Sequence, residues 1–156
     1  MNTTPAVLLV ELLMSVDRVI TAAQQATFTV ASDEWPPATI LGHLSMVDTE
    51  VWLPRINLMT SVHGTNADTM PPVFAWWEPD PEETKARFAK HGVDEAGAAL
   101  LASRTSILQR LREMPPSGWS APGQHEIFGA INVEDLVFHL LTHDEEHRAC
   151  LLIGRD

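Results

Sequence analysis

The run His139-Leu140-Leu141-Thr142-His143-Asp144-Glu145-Glu146-His147 sets three imidazoles at intervals of four residues. It lies in a predicted helix over residues 132–153, and helical residues four apart stand one above the other on one face. The apolar stripe of that helix runs through Leu136, Val137 and Leu140, should continue through positions 143, 144 and 147, and resumes at Leu151. Histidine occupies two of these inward positions, where leucine is expected. A buried imidazole needs a partner, and two aimed at one spot are a ready pair of metal ligands. The alternative is two interfacial histidines satisfied by hydrogen bonds or water. His139 is turned about 40° further round the helix than His143, the place of a supporting or a flanking residue.

A third imidazole stands in the same kind of position elsewhere. A helix predicted to start near Ala38 carries Ile40, Leu41, Leu44, Val47, Val51 and Trp52 inward, and His43 falls on that stripe. Glu50, seven residues on, points nearly the same way and is either a further ligand, an orienting group or an exposed carboxylate. Cys150 shares the face of His143 and His147, where it is a packed core thiol or a fourth ligand. Two protease motifs fit less well. H-E-x-x-H requires Glu where Asp144 stands; H-x-x-E-H matches through Glu146, but only nine residues follow His147, whereas those enzymes take a further ligand downstream.

The elements that must position these residues read as helices. Thr4 and Pro5 open a first helix reaching about Gln25, whose Val7, Leu8, Val10, Leu12, Leu13, Val16, Val19 and Ile20 cover more than one face. Such a helix is either deep in a bundle or part of a contact with a second copy. Ser32-Asp33-Glu34-Trp35-Pro36-Pro37 breaks the chain, and Pro54 kinks or ends the second helix. A long connection over residues 60–80 holds Gly64, Asn66, Pro71, Pro72 and Trp76-Trp77; its tryptophans line a pocket mouth or cap one end of the molecule. His63 within it reads as exposed. Pro81 opens a short acidic-started helix to about Lys90. Asp94 is expected to cap a long helix reaching Glu113, with Leu100, Leu101, Ile107, Leu108 and Leu111 inward, stopped by Pro115-Pro116. Residues 119–129 read as a loop or short extended turn holding His125, and Asn132 as the cap of the final helix. No alternation is strong enough to build a sheet. The expected fold is all-α: one domain over residues 1–156, a four-helix bundle with a long connection between helices 2 and 3 and one short extra helix.

Charge and composition narrow the partners. Ten basic against 21 acidic residues give a formal net charge of −11, which disfavours contact with nucleic acid or an anionic membrane surface. The single cysteine excludes an intramolecular disulfide framework and fits a cytoplasmic protein. The apolar N-terminal stretch is interrupted by Glu11, Asp17 and Arg18 and lacks the basic start of a secretory signal.

Leu41-Gly42-His43-Leu44, Trp119 with Phe128-Gly129, and His139 through Arg148 together resemble the DinB/YfiT family of bacterial helical-bundle proteins over essentially the whole chain. The resemblance implies a metal triad of His43, His143 and His147, the same three residues that the stripe argument selects. It also implies a divalent ion, zinc or nickel, with positions left to water or substrate. Some relatives are transferases or isomerases using a low-molecular-weight thiol. The expectation is therefore a metal-dependent enzyme acting on a small molecule, a thiol-cofactor-dependent transferase ahead of a hydrolase. The alternative is a non-catalytic metal- or ligand-binding stress-response protein. That alternative predicts a closed site completed by Glu50 or Cys150, whereas an enzyme predicts an open cavity bordered by Trp76 or Trp77.

Overall fold

The computed structural model describes residues 4–26, 34–63 and 69–153, without the side chains of 62 and 63. The break at Ser32-Asp33, the exposure of His63 and the connection residues Gly64 and Asn66 lie outside the described residues. Helix α1 (Pro5–Gln25) starts as expected on Thr4, although that side chain makes no capping bond. Helix α2 (Pro37–Val47) runs through one wide turn, Asp48–Trp52, into α3 (Leu53–His63). Pro54 therefore does not end the helix. Its ring has no N–H and crowds the carbonyl four residues back, and the preceding turn widens so that Leu53 N–H bonds Asp48 O, five residues back.

Strand β1 (Val73–Phe74), helix α4 (Pro81–Phe88) and helix α5 (Val93–Glu113) follow. Gly92, not Asp94, occupies the N-cap of α5; Asp94 and Glu95 sit in its first turn, with Arg110 and Arg112 in its last, each matched to the helix dipole. A tight turn, Pro116–Ser120, leads to β2 (Pro122–His125), β3 (Gly129–Asn132) and α6 (Val133–Leu152). Asn132 caps α6 with a reciprocal pair of bonds to Asp135.

The chain is mostly helical, which fits the expected all-α class, but it carries a small sheet that the sequence did not show. Strands β1, β2 and β3 form this sheet in that order, β1 parallel to β2 and β2 antiparallel to β3. Gly129, at φ 74°, supplies the left-handed residue that closes the β2–β3 connection.

Two apolar clusters hold the helices together. One joins Leu8 and Leu12 of α1 to Ile56, Ile107, Leu111, Leu136 and Leu140. The other joins Val16, Val19 and Ala23 to Leu41, Leu44, Leu100 and Leu151. Helices α1 and α6 thus pass from the first cluster to the second, while α2–α3 and α5 pass the opposite way. Because α3 ends near the level at which α5 finishes, the chain between them must travel back the length of the molecule, and β1 and α4 occupy that return. Of the residues of α5 expected inward, Leu101 is 46% exposed, and the second apolar face expected on α1 is exposed at Val7 (48%), Val10 (59%) and Leu13 (48%). Among the described residues no helix is long and apolar enough to cross a membrane.

Candidate metal centre

A layer of buried charge lies between the two apolar clusters. Arg104, fully buried, occupies the inward position between Leu100 and Ile107. Its guanidinium donates from Nε and Nη2 to Asp48 at 3.1 and 3.2 Å, and from Nη1 and Nη2 to Asp144 at 2.8 and 3.1 Å. Nη1 also donates to the Leu12 carbonyl at 3.1 Å. Ser103 and Ser15 donate to Asp48 and Asp144. One cation facing two carboxylates leaves the cluster one negative charge in excess when both are ionised. Burial pushes the Asp48 carboxyl up to about 6 despite the pull of Arg104, whereas the two carboxylates outweigh burial at Arg104 and hold its guanidinium charged. The network ties α2, α5, α1 and α6 together within a turn or so of the histidines, since Asp144 follows His143 and Asp48 lies five residues beyond His43.

The three predicted histidines converge. His43 is 2% exposed, and His143 and His147 are partly buried. His143 Nε2 lies 3.4 Å from His43 Nε2 and 3.2 Å from His147 Nε2. One nitrogen from each ring lies within 4.8 Å of the others. A ring nitrogen has a single in-plane proton or lone pair, so His143 Nε2 cannot satisfy both neighbours by hydrogen bonding. An ion can: two nitrogens bound at about 2.05 Å with tetrahedral angles stand roughly 3.3 Å apart. The donor set therefore fits a divalent ion held through Nε2.

The opposite nitrogens, Nδ1 of His43 and His143, are buried without a hydrogen-bond partner. Among the described residues no carboxylate or carbonyl accepts from these two nitrogens to raise the basicity of the rings, as usually happens around metal-binding imidazoles. Burial, and then repulsion from His147 and His143, lowers His43 to about 3; burial and then His143 lower His147 to about 4. Burial likewise lowers His143. All three rings are neutral at physiological pH, the form that ligates.

The other candidate ligands stand apart. Glu50 is exposed and pairs with Arg87 at 3.2 Å. Cys150 is exposed rather than packed, the buried position in the last turn of α6 being taken by Leu151. Neither joins the histidine group. His139 stacks on Phe128, with ring centroids 4.1 Å apart, and does not join the triad either.

The triad opens on a cavity of about 520 Å³, bordered by Trp76, Trp77 and residues of α2, α3 and α6. Trp77 stacks over His43 at 6.2 Å. Trp35, seen in the sequence only as part of a helix break, lies flat against His147 at 6.4 Å and tilted against His43 at 5.0 Å. Trp52 meets the edge of His143 at 6.1 Å. Apolar rings thus surround the imidazoles while one side stays open to the cavity. His125, expected in a loop or short extended turn, lies on β2 and is 4% exposed. Its Nδ1 accepts from the Ile127 and Phe128 N–H groups at 3.0 and 3.3 Å, which leaves its proton on Nε2.

The family model described as the DinB superfamily matches residues 4–151. No curated protein matches the chain.

Proposed function

Because the chain belongs to the DinB superfamily, we propose that it is a metal-dependent enzyme built on a four-helix bundle, with His43, His143 and His147 holding one divalent ion, zinc or nickel. The single observation that carries this is the 3.2 and 3.4 Å separation of three Nε2 atoms in an apolar surround. Held by three neutral imidazoles, such an ion keeps its full positive charge and supplies a Lewis acid to a thiol or a water. The protein's own part is to keep the rings unprotonated by burial, to aim them through the Arg104 network, and to screen them with Trp35, Trp52 and Trp77. The open side supports an enzyme acting on a small molecule, and the closed, storage-type alternative lacks its parts, since Glu50 and Cys150 both lie elsewhere. Within the enzyme reading, a cytoplasmic transferase with a low-molecular-weight thiol as co-substrate stands ahead of a hydrolase, on family likeness. A second copy docking on the apolar outer face of α1 belongs to the same reading.

The test is elemental analysis of tag-free protein purified without a metal column, beside His43→Ala and His143→Ala. The expected result is close to one zinc or nickel per chain in the wild type and none in either variant. Adding the ion at about 100 times its dissociation constant stabilises by about 2.7 kcal/mol, which raises Tm by roughly 5–10 °C. No metal in the wild type, with no thermal shift on adding zinc or nickel, sinks the proposal. Once metal is found, transfer to a panel of low-molecular-weight thiols separates transferase from hydrolase.

A further inference from the structure

The cavity is polarised along its length. On the α2–α3 side it is bordered by His43, Val47, Val51 and Arg55, on the α6 side by His147, His143 and His139. The two sides run antiparallel, so Arg55 lies towards His139 and away from the triad. His43 and Arg55 are separated by about 18 Å of helix axis at roughly 1.5 Å per residue. Both carboxylates on the cavity wall, Glu78 and Glu146, belong to the imidazole end, one beside Trp77 over His43 and the other beside His147.

The far end carries the opposite sign. Arg55 is half-buried, its Nη2 donates to the Ala75 carbonyl at 2.9 Å, and its guanidinium sits 5.1 Å over the Phe74 ring. Among the described residues no carboxylate forms an ion pair with it. The nearby acid, Glu126, accepts from the Trp76 N–H at 2.8 Å. In a protein with a formal net charge of −11, a guanidinium held in place on a cavity wall without a counter-ion is an anion receptor. His125, with its proton on Nε2, and His139, stacked on Phe128, border the same end.

We propose that Arg55 binds a carboxylate of the substrate, whose apolar body lies against Trp52, Trp76 and Phe128 and whose reacting end reaches the histidines. The substrate class is thus a small, partly apolar carboxylic acid of a size suited to about 520 Å³. This deepens the metal-enzyme reading and rests on it for the reacting end only.

The experiment titrates ω-phenylalkanoates, from phenylacetate to phenylhexanoate, and their neutral amides into wild type, Arg55→Gln, Arg55→Lys and His143→Ala. Quenching of the cavity tryptophans is the readout, and melting curves verify folding. The expected result is a carboxylate preference over the amide of about tenfold to a hundredfold, the worth of a charge-assisted hydrogen bond. Arg55→Gln abolishes that preference, Arg55→Lys keeps part of it, and His143→Ala leaves it intact. A preference lost in His143→Ala but kept in Arg55→Gln puts the carboxylate on the imidazole end and overturns the proposal. Absence of any Arg55-dependent binding along the series also overturns it. Arg55-dependent binding in protein that elemental analysis finds free of metal would remove the metal reading and leave the carboxylate site standing.

Discussion

Replacing Arg104 by Met exposes what the buried charge layer does. The substitution keeps most of the side-chain length but strands Asp48 and Asp144, at 1% and 2% exposure, with only serine hydroxyls against them. Removing one partner of a buried ion pair typically destabilises by about 3–5 kcal/mol, a large part of the roughly 5–15 kcal/mol that holds a domain together. The loss must depend on pH. Asp48 already stands at about 6, above its unfolded value, with Arg104 pulling it down; without that cation it rises further. A carboxyl raised in the folded state contributes stability that is full below its unfolded pKa and lost as pH rises through the folded one. The deficit of the variant therefore grows from pH 6.0 to pH 8.5, by about 1.4 kcal/mol for each pH unit over which its folded state holds one more proton than wild type. Urea denaturation of both proteins at the two pH values measures it. Replacing Asp48 and Asp144 by Leu in the Arg104→Met background should restore most of the stability, since well-packed apolar substitutes for buried ionic clusters are often neutral or better. The single variant should also bind zinc more weakly, because the network aligns α2 with α6 beside the triad. A loss below about 1 kcal/mol at pH 8.5, or one equal at both pH values, refutes the reasoning.

Acid sensitivity and close packing supply two further tests. Metal-free protein loses stability as pH falls below about 6.5, because imidazoles lowered by burial contribute stability only above their unfolded pKa; His43→Leu should flatten this dependence between pH 7.5 and 5.5, and parallel slopes would count against it. Gly42→Ala brings a methyl to 2.5 Å from Phe88 Cδ1, one residue from His43, and is expected to destabilise by about 1–3 kcal/mol by thermal melting, with partial recovery on adding Phe88→Leu.

The triad was legible because helical phase is local. His43, His143 and His147 interrupt apolar stripes, and no tertiary knowledge is needed to see that. Arg104 carried the same signal, spaced between Leu100 and Ile107, yet a long charged side chain on an apolar stripe ordinarily reaches solvent, so the spacing alone did not mark it as buried. Its partners Asp48 and Asp144 come from other helices, beyond the reach of any local pattern. The sheet was invisible for a related reason. Val73–Phe74 is too short to show alternation, Pro122 and Gly123 stand at the start of β2, and β1 finds its parallel partner just over fifty residues away, Val73 against Gln124. Cys150 shows where phase misleads: it was placed on the face of the histidines, but in the last turn of α6 the buried position falls to its neighbour Leu151.

The wide turn at Asp48–Trp52 has a bearing on how the cavity can be retuned. In an unbroken α-helix, twelve residues after His43 would leave Arg55 about 120° round the axis. The turn absorbs one residue, so the interval behaves as eleven, and Arg55 returns to within about 20° of the His43 direction. Five residues thus act as a phase adjuster between the two ends of one groove. Deleting one of them would regularise the helix and keep Arg55, then eleven residues after His43, in the same direction, whereas regularising the turn without a deletion would swing Arg55 by about 100° away from the cavity. The imidazole end and the receptor end of the groove are in this sense separately adjustable, coupled only through the length of a single helical turn.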